Sequence, residues 1–407
     1  MRACARSPVK RAICSSPGSQ SAPPLIGFWQ EAKRGKSGPM CAATHPGPPG
    51  SLHCCPEKPS SALGAMLRMR KLLNRLARST RSWIRGRRFH RVGWIAGRFR
   101  TPQAELHLRS ADRERRYYVH VPAGLKEHDR VPLLVMLHGC KQDARVFAEG
   151  TRMNRLADDH RFIVLYPEQS LRANALRCWR WYERETLAGR GDAALIAGII
   201  RRVVDSYPVD SARVYVAGIS AGGAMASVLV FRYGEMLAAC AIVSGVMYGA
   251  AESVADAFAA MRGRAWKKLP VAAADAARGS ERSPEFLPAL IIHGDRDSAV
   301  HPANADQIAE QFHDLAEVFA SRTGPLVEAE ERRILDDDRP YRQRDYLANG
   351  RVVLRKMIVE GLGHAWSGGD DRHPFNEAAG PDASRLIWEF VSQFRRPGRG
   401  SPRLARH

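Results

Sequence analysis

The chain has 407 residues, 44% of them hydrophobic and 8% aromatic, which is enough apolar material for a large buried core and excludes a wholly disordered protein. The formal net charge is +21, but residues 1–100 hold 20 Lys/Arg against only Glu31 and Glu57, so most of that charge sits in the first quarter. The remaining three quarters are close to neutral, so the basic character belongs to an arm and no specific nucleic-acid binding is expected.

Residues 1–65 are rich in Pro, Gly, Ser and Ala and lack apolar periodicity, which reads as a disordered N-terminal segment. Met66 opens a more protein-like stretch and is a candidate alternative start. The first residues, "MRACARSPVKRAICSSPGSQSAPP", carry basic side chains but no apolar run of signal-peptide length. Residues 66–100 contain 12 Lys/Arg and no acid, with Met69, Leu72, Leu73, Leu76 and Trp83 at helical spacing. That pattern predicts a basic amphipathic arm, suited either to an anionic membrane or granule surface or to loose packing on its own domain.

From residue 101 to 396 the pattern is that of one α/β domain, and 397–407 is a basic tail. "ELHLRS" and "RRYYVHVP" predict paired edge strands. "VPLLVMLHG", "RFIVLYP", "RVYVAG", "CAIVSG", "PALIIHG" and "VVLRKMIVEG" are short apolar runs without alternation, as strands buried on both faces require. Helix-like stretches such as Gly191 to Tyr207 and Ala221 to Tyr233 separate most of them, and "ASRLIWEFVSQF" predicts a last amphipathic helix. Strands alternating with helices imply a mostly parallel central sheet with helices on both faces. Val214 to Phe231 has no charge over 18 residues, but its three glycines and the break at Ser220 predict a buried strand followed by a helix, not a transmembrane span.

"AGISAGGAM" is the most informative stretch. Gly218-Ile219-Ser220-Ala221-Gly222 matches G-x-S-x-G, the nucleophile elbow, between a β-branched strand and an Ala/Met/Leu helix. The chain must turn from strand to helix within a few residues, so bulky neighbours would clash, and the serine hydroxyl is lifted out at the strand's end. A serine needs a base, and this architecture orders the partners as Ser, then Asp or Glu, then His. Asp295 and Asp297 both follow the apolar strand in "PALIIHGDRDSAVHPAN", and the choice between them stays open on sequence pattern alone. His364, in "KMIVEGLGHAWSGG", follows the last strand and precedes the last helix. His138 and His293 sit at strand ends beside glycines, where structural hydrogen bonding is expected; His301 is a further competitor. The backbone N–H groups of Cys140, in the loop after "LLVMLHG", and of Ala221 are candidates for an oxyanion hole.

The stretches "LHGCKQDARVFAEGTRMNRLADDHRFIVLYPEQ", "CWRWYE", "AGISAGGAM", "HGDRDSAVHPANA" and "GHAWSGG" occur in this order, and in them the chain resembles the polyhydroxybutyrate (PHB) depolymerase-type esterase family over about residues 105–395. The resemblance implies an α/β-hydrolase fold and Ser220, Asp297 and His364 as the triad, since the family acid sits in HGxxDxxV. It implies hydrolysis of poly(3-hydroxybutyrate)-type polyesters or their oligomers, with acetyl or feruloyl esters of plant polysaccharides as the alternative. No cofactor or metal is expected, and the triad alone does not exclude a peptidase or thioesterase. The resemblance implies an extracellular protein, whereas the start of the chain reads as cytoplasmic. Because the chain stops soon after its last helix, amorphous polymer and oligomers are expected as substrates and crystalline polymer is not. Trp366, Trp179 and Trp181 are candidate pocket residues, the last two being equally well explained as core. Arg180 stands inside "CWRWYE" where family members often carry Asn. Of the eight cysteines, Cys140 and Cys178 flank motifs expected near the site and are the pair to expect in a disulfide, while Cys240 lies in an apolar run where a lone thiol is ordinary.

Overall fold

In the computed structural model the apolar runs form the centre of an eleven-stranded sheet. The described residues are 93–100, 114–265, 286–318, 324–336 and 338–396. The readings of 1–65, of the helix before Gly93, of 105–110 and of the tail 397–407 lie outside them. In chain order the sheet strands are β1 (Gly93–Arg100), β2 (Glu114–Val121), β3 (Val131–Leu137), β4 (Ile163–Glu168), β5 (Val209–Ile219), β6 (Ala239–Val243), β7 (Ala289–Gly294), β8 (Val327–Glu328), β9 (Arg332–Ile334), β10 (Tyr341–Ala348) and β11 (Arg351–Val359). They lie in the order β1-β2-β4-β3-β5-β6-β7-β11-β10-β8, with β9 beside β10. The six strands from β4 to β11 in this order run parallel, and antiparallel strands flank them on both sides.

Every residue of β3, β4, β6 and β7 is buried. Successive side chains of a strand point to opposite faces, so both faces of this central region are covered. The helices that cover it include α1 (Ala144–Thr151), α2 (Met153–His160), α3 (Arg184–Leu187), α4 (Gly191–Ser206), α5 (Ala221–Tyr233), α6 (Val254–Met261), α7 (Ala303–Val318) and α8 (Ala383–Val391). Helix α4 packs on α5, which lies over β3, β5 and β6; α8 packs on α2 and on β6 and β7. The uncharged run Val214 to Phe231 is the end of β5 plus most of α5, as expected. No helix among the described residues is long and apolar enough to cross a membrane.

One boundary differs from the sequence reading. Gly93–Arg100 was assigned to the basic arm, yet it is a strand, paired antiparallel with β2 over its whole length. Its exposure alternates residue by residue, with Ile95 packed against the core and Trp94 outside, stacked on Tyr118 at 5.1 Å. The helical spacing that defined the arm rests on residues up to Trp83, whereas from Gly93 the pattern has the strand period of two. In consequence β2 is not an edge strand, since it lies between β1 and β4. The helices Gly191–Ser206, Ala221–Tyr233 and Ala383–Val391 lie where the sequence placed them.

The tightest contact in this framework joins α5 to β3. A Cβ on Gly222 would press on the carbonyl oxygens of Leu137 and His138, and one on Gly218 would lie 2.9 Å from the Leu137 oxygen and closer still to the Gly222 carbonyl. Backbone cannot yield as a flexible side chain does, so only glycine fits at both positions. Gly222→Ala is expected to lower stability by about 3 kcal/mol, read as a lower urea midpoint; an unchanged midpoint would mean that α5 can move away from β3.

Candidate active site

Parallel strands present their carboxyl ends at one edge, and four sequence motifs end there. Cys140 follows β3, Ser220 follows β5, Asp297 follows β7 and His364 follows β11. Register brings the first two together, because Leu137 of β3 pairs with Gly218 of β5. It also joins the last two, because Val359 of β11 pairs with Gly294 of β7.

Ser220 has φ 58° and ψ −122°, a conformation costly for any residue with a side chain. Its neighbours hold it there. The Ser220 N–H donates to the Val243 carbonyl at 2.9 Å, and the Ala224 N–H closes the first helical turn on the Ser220 carbonyl at 2.9 Å. The residue is partly exposed, between a buried strand and a buried helix. Ala221 is the first residue of α5, so its N–H has no carbonyl within the helix to bond. In the neighbouring loop the Lys141 N–H donates to the Leu176 carbonyl at 2.7 Å, and the Cys140 N–H has no acceptor among the described residues. Two donors without partners among the described residues thus flank the elbow.

Of the two candidate acids, Asp297 is the one beside His364. His364 Nδ1 lies 2.7 Å from Asp297 Oδ2. The other oxygen, Oδ1, accepts from the N–H groups of Ala299 at 3.0 Å and Val300 at 2.8 Å. Burial raises the Asp297 pKa, but the contacts from His293, His364 and the Val300 amide outweigh it and hold the carboxyl well below the usual carboxylate range. An ionised acceptor at Nδ1 fixes the proton there and leaves Nε2 of His364 free to act as a base. Asp295 has a structural part instead, because its Oδ1 accepts the Gly361 N–H at 2.7 Å and ties the turn after β7 to the turn after β11.

The other histidines have structural roles, as expected of His138 and His293. His293 Nε2 lies 2.8 Å from the Val300 carbonyl and 3.4 Å from Asp297 Oδ2, so it braces the acid's turn from below. His138 is fully buried; its Nδ1 faces the Gly139 carbonyl at 2.8 Å and its Nε2 accepts the Gln169 N–H at 3.1 Å. Only the neutral ring satisfies both contacts. His301 is exposed and accepts the Ala303 N–H.

The three tryptophans pack into the core. Trp366 is 1% exposed, its ring edge-on to Phe147 and its N–H on Ser384 Oγ at 3.1 Å. Trp179 is buried beside His138 and donates to the His138 carbonyl at 3.1 Å, and Trp181 is buried against Tyr182. Their indole rings fill the space behind the site and present no open face. The aromatic ring that does stand beside His364 is Phe375, at 6.2 Å between ring centroids and 37% exposed, a residue the sequence reading passed over. Arg180 pairs with Asp192 at 3.1 Å, and Arg115 meets the same carboxylate at 2.6 Å. Asp192 also accepts from the Gln169 side chain at 2.7 Å. Burial raises the Asp192 pKa, yet the two guanidinium groups hold it below its ordinary value.

Cys140 and Cys178 form a disulfide, and Cys240 is a buried thiol. The bridge fastens the loop after β3 to the segment carrying Trp179. Among the described residues one group of side chains lies close enough to share a cation, namely His313, Asp314 and Glu317 on α7.

Two measurements follow from these contacts. Burial pushes the His138 pKa down to about 4 from 6.5. The unfolded chain therefore takes up a proton below pH 6.5 that the folded chain refuses until about pH 4, and stability falls as pH is lowered through that window, by roughly 3 kcal/mol in all. Urea midpoints from pH 7 to pH 4.5 should fall for the wild type and lose this component in His138→Asn. Separately, Cys178→Ser is expected to cost about 4 kcal/mol through the loop that the bridge closes over a separation of 38 residues. Non-reducing peptide mapping should find Cys140 linked to Cys178 and Cys240 free; two free thiols at 140 and 178 in oxidised protein would contradict the bridge.

Comparison with known proteins places this geometry. Poly(3-hydroxyalkanoate) depolymerase C of Paucimonas lemoignei is 35% identical over 251 residues, covering 61% of this chain and 57% of that protein. Feruloyl esterase B of Thermothelomyces thermophilus is 35% identical over 142 residues, covering 34% of this chain and 47% of that protein. The chain thus spans about half the length of these curated relatives. Among solved structures, the acetyl xylan esterase from Aspergillus awamori superposes with a TM-score of 0.54 at 21% identity, covering 68% of this chain and 94% of that one, and shows the same α/β-hydrolase fold. The model of the family described as Esterase PHB depolymerase matches residues 115–335, more than half of the chain, and the chain belongs to that family.

Proposed function

We propose that the protein is a serine esterase that cleaves carboxylic ester bonds of poly(3-hydroxybutyrate)-type polyesters or their oligomers. The observation that carries this reading is the strained Ser220 elbow on the same sheet edge as the ionised Asp297–His364 pair. In the proposed reaction His364 Nε2 takes the Ser220 proton as Oγ attacks the ester carbonyl. Asp297 orients the ring and stabilises its charged form, and the N–H groups of Cys140 and Ala221 hold the oxyanion. His364 then passes the proton to the departing alcohol oxygen. Water, deprotonated by His364, attacks the acyl-enzyme and releases the acid and Ser220. The chemistry asks for no cofactor or metal.

A disulfide beside the oxyanion loop supports action in an oxidising, extracytoplasmic compartment. Contact with an anionic surface is assigned to residues 66–92, since 93–100 are committed to the sheet. A second reading, an acetyl or feruloyl esterase acting on plant polysaccharide esters, is favoured by the superposition on the acetyl xylan esterase and the identity to feruloyl esterase B.

Ser220→Ala should fold normally and abolish ester hydrolysis, and a serine-directed phosphonate should label Ser220 alone. Asp297→Asn is expected to lower kcat by about four orders of magnitude, whereas Asp295→Asn should act on stability through the lost Gly361 contact and leave kcat near normal. The reverse pattern would exchange the two acids. Rates on 3-hydroxybutyrate trimer, amorphous polymer, acetylated xylan and methyl ferulate decide the substrate: preference for either polysaccharide-type ester over the trimer promotes the second reading.

A further inference from the structure

The segment between β11 and α8 does more than carry His364. Its outer side forms an open cleft of about 500 Å³ with the end of α1 and the start of α2, lined by Glu149, Arg152, Arg155, Asp370, Arg372 and His373 among others. The charges in it do not cancel. Asp370 is held on both oxygens by Arg372, at 2.8 and 2.6 Å. Glu149 receives Arg145 at 2.8 Å and faces His373 at 3.6 Å. Arg152 reaches Asp370 only at 4.0 Å, behind the closer Arg372. Arg155 has no ion pair or side-chain hydrogen bond among the described residues. Three guanidinium groups thus share two carboxylates, and the carboxylates are already taken.

The walls of the cleft are fixed to each other. The Asp370 N–H donates to the Gly150 carbonyl of α1 at 2.7 Å, and Gly369 donates to the Glu377 carbonyl at 3.0 Å. The same loop leads to the catalytic pair: His373 is two residues, at most about 7 Å of chain, from Phe375, whose ring stands against His364. The Gln142 side chain bonds the Pro374 carbonyl at 3.1 Å and accepts the Gly139 N–H at 2.9 Å, linking this loop to the oxyanion loop. A group seated in the cleft therefore lies along the loop whose Phe375 ring stands beside His364. Guanidinium forks recognise carboxylates by paired, charge-assisted hydrogen bonds.

We propose that Arg155, with Arg152, binds a carboxylate carried by the ester substrate. Resting on the esterase reading, the group is the free acid end of a hydroxyacid oligomer or a uronic acid substituent of an esterified polysaccharide. The enzyme then favours substrates with an anionic group a short distance from the ester it cuts.

The test compares 3-hydroxybutyrate trimer as the free acid and as its methyl ester. Wild-type KM should be about tenfold lower for the acid and rise with salt. Arg155→Gln should remove that difference while leaving kcat, the methyl-ester KM and the thermal midpoint unchanged. Equal KM for acid and ester in the wild type, or equal losses for both in Arg155→Gln, would overturn the proposal. Titrating the trimer acid and its ester into Ser220→Ala, with and without Arg155→Gln, reads the same site without turnover, so failure of the reaction and failure of the site remain distinct. If the trimer is not cleaved, acetylated glucuronoxylan against acetylated xylan lacking glucuronic acid supplies the corresponding pair. Inhibition by inorganic phosphate as strong as that by 3-hydroxybutyrate would mark a general anion site and overturn the substrate assignment.

Discussion

The approach of α5 to the end of β3 is the contact on which the rest of the site depends. At Gly222 the helix backbone lies against the Leu137 and His138 carbonyl oxygens, nearer than any side chain permits. That closeness sets where α5 begins, and so forces Ser220 into its left-handed turn directly after β5. It also places the first N–H of α5 beside the loop that carries Cys140. The candidate nucleophile and both candidate oxyanion donors are therefore positioned by one backbone contact, and the strain at Ser220 is sustained by the burial of β5 and α5 on either side.

Behind the oxyanion loop stands a buried polar network that gives it rigidity. Asp192 is held by Arg115 and Arg180 and receives the Gln169 side chain; the Gln169 N–H bonds His138, whose other nitrogen faces the Gly139 carbonyl. These contacts chain the buried groups together, and such chained hydrogen bonds rigidify a buried polar cluster. The Cys140–Cys178 bridge and the Trp179 bond to the His138 carbonyl fasten the same loop from outside. Arg180 is the second cation on the buried Asp192 carboxylate, beside Arg115.

Much of this was legible in the chain. G-x-S-x-G between a β-branched run and a small-residue helix marked the strand-to-helix turn at Ser220, and strand-end positions marked Asp295, Asp297 and His364 as candidates, because period and glycine placement are local properties. The family motif, not the spacing, chose Asp297 over Asp295; geometry explains the choice, since only Asp297 meets His364 while Asp295 caps Gly361. Long-range pairing was not legible. Gly93–Arg100 looked like a continuation of a basic arm, and its period of two became decisive only with the pairing to β2. The hairpin of β10 and β11 had a local signal that was missed, Asn349-Gly350, both with positive φ as a tight turn requires. The tryptophans misled because indole suits a pocket and a core equally, and burial decides between them only in three dimensions.

Specificity is carried by parts that the chemistry leaves free. The central strands, the turn at Ser220 and the turn that carries Asp297 are fixed by close packing and hydrogen bonds, so in the proposed reaction any accessible ester would meet the same groups. What differs between a hydroxyalkanoate chain and an acylated sugar is the material flanking the ester. On the proposed reading that material would meet the segment from Trp366 to Glu377, whose short strands (Trp366–Ser367 and Asn376–Glu377) pair with each other and not with the main sheet. The segment is anchored by Gly150 and Gln142, yet it exposes Phe375 and the arginine-lined cleft. An apolar ring beside the base and a cationic surplus beyond it form a gradient from apolar to anionic recognition along one loop. Under the proposed reading, a chain of apolar ester units ending in a carboxylate would match that gradient in order and in sign, whereas a neutral acetylated sugar would match only its first part.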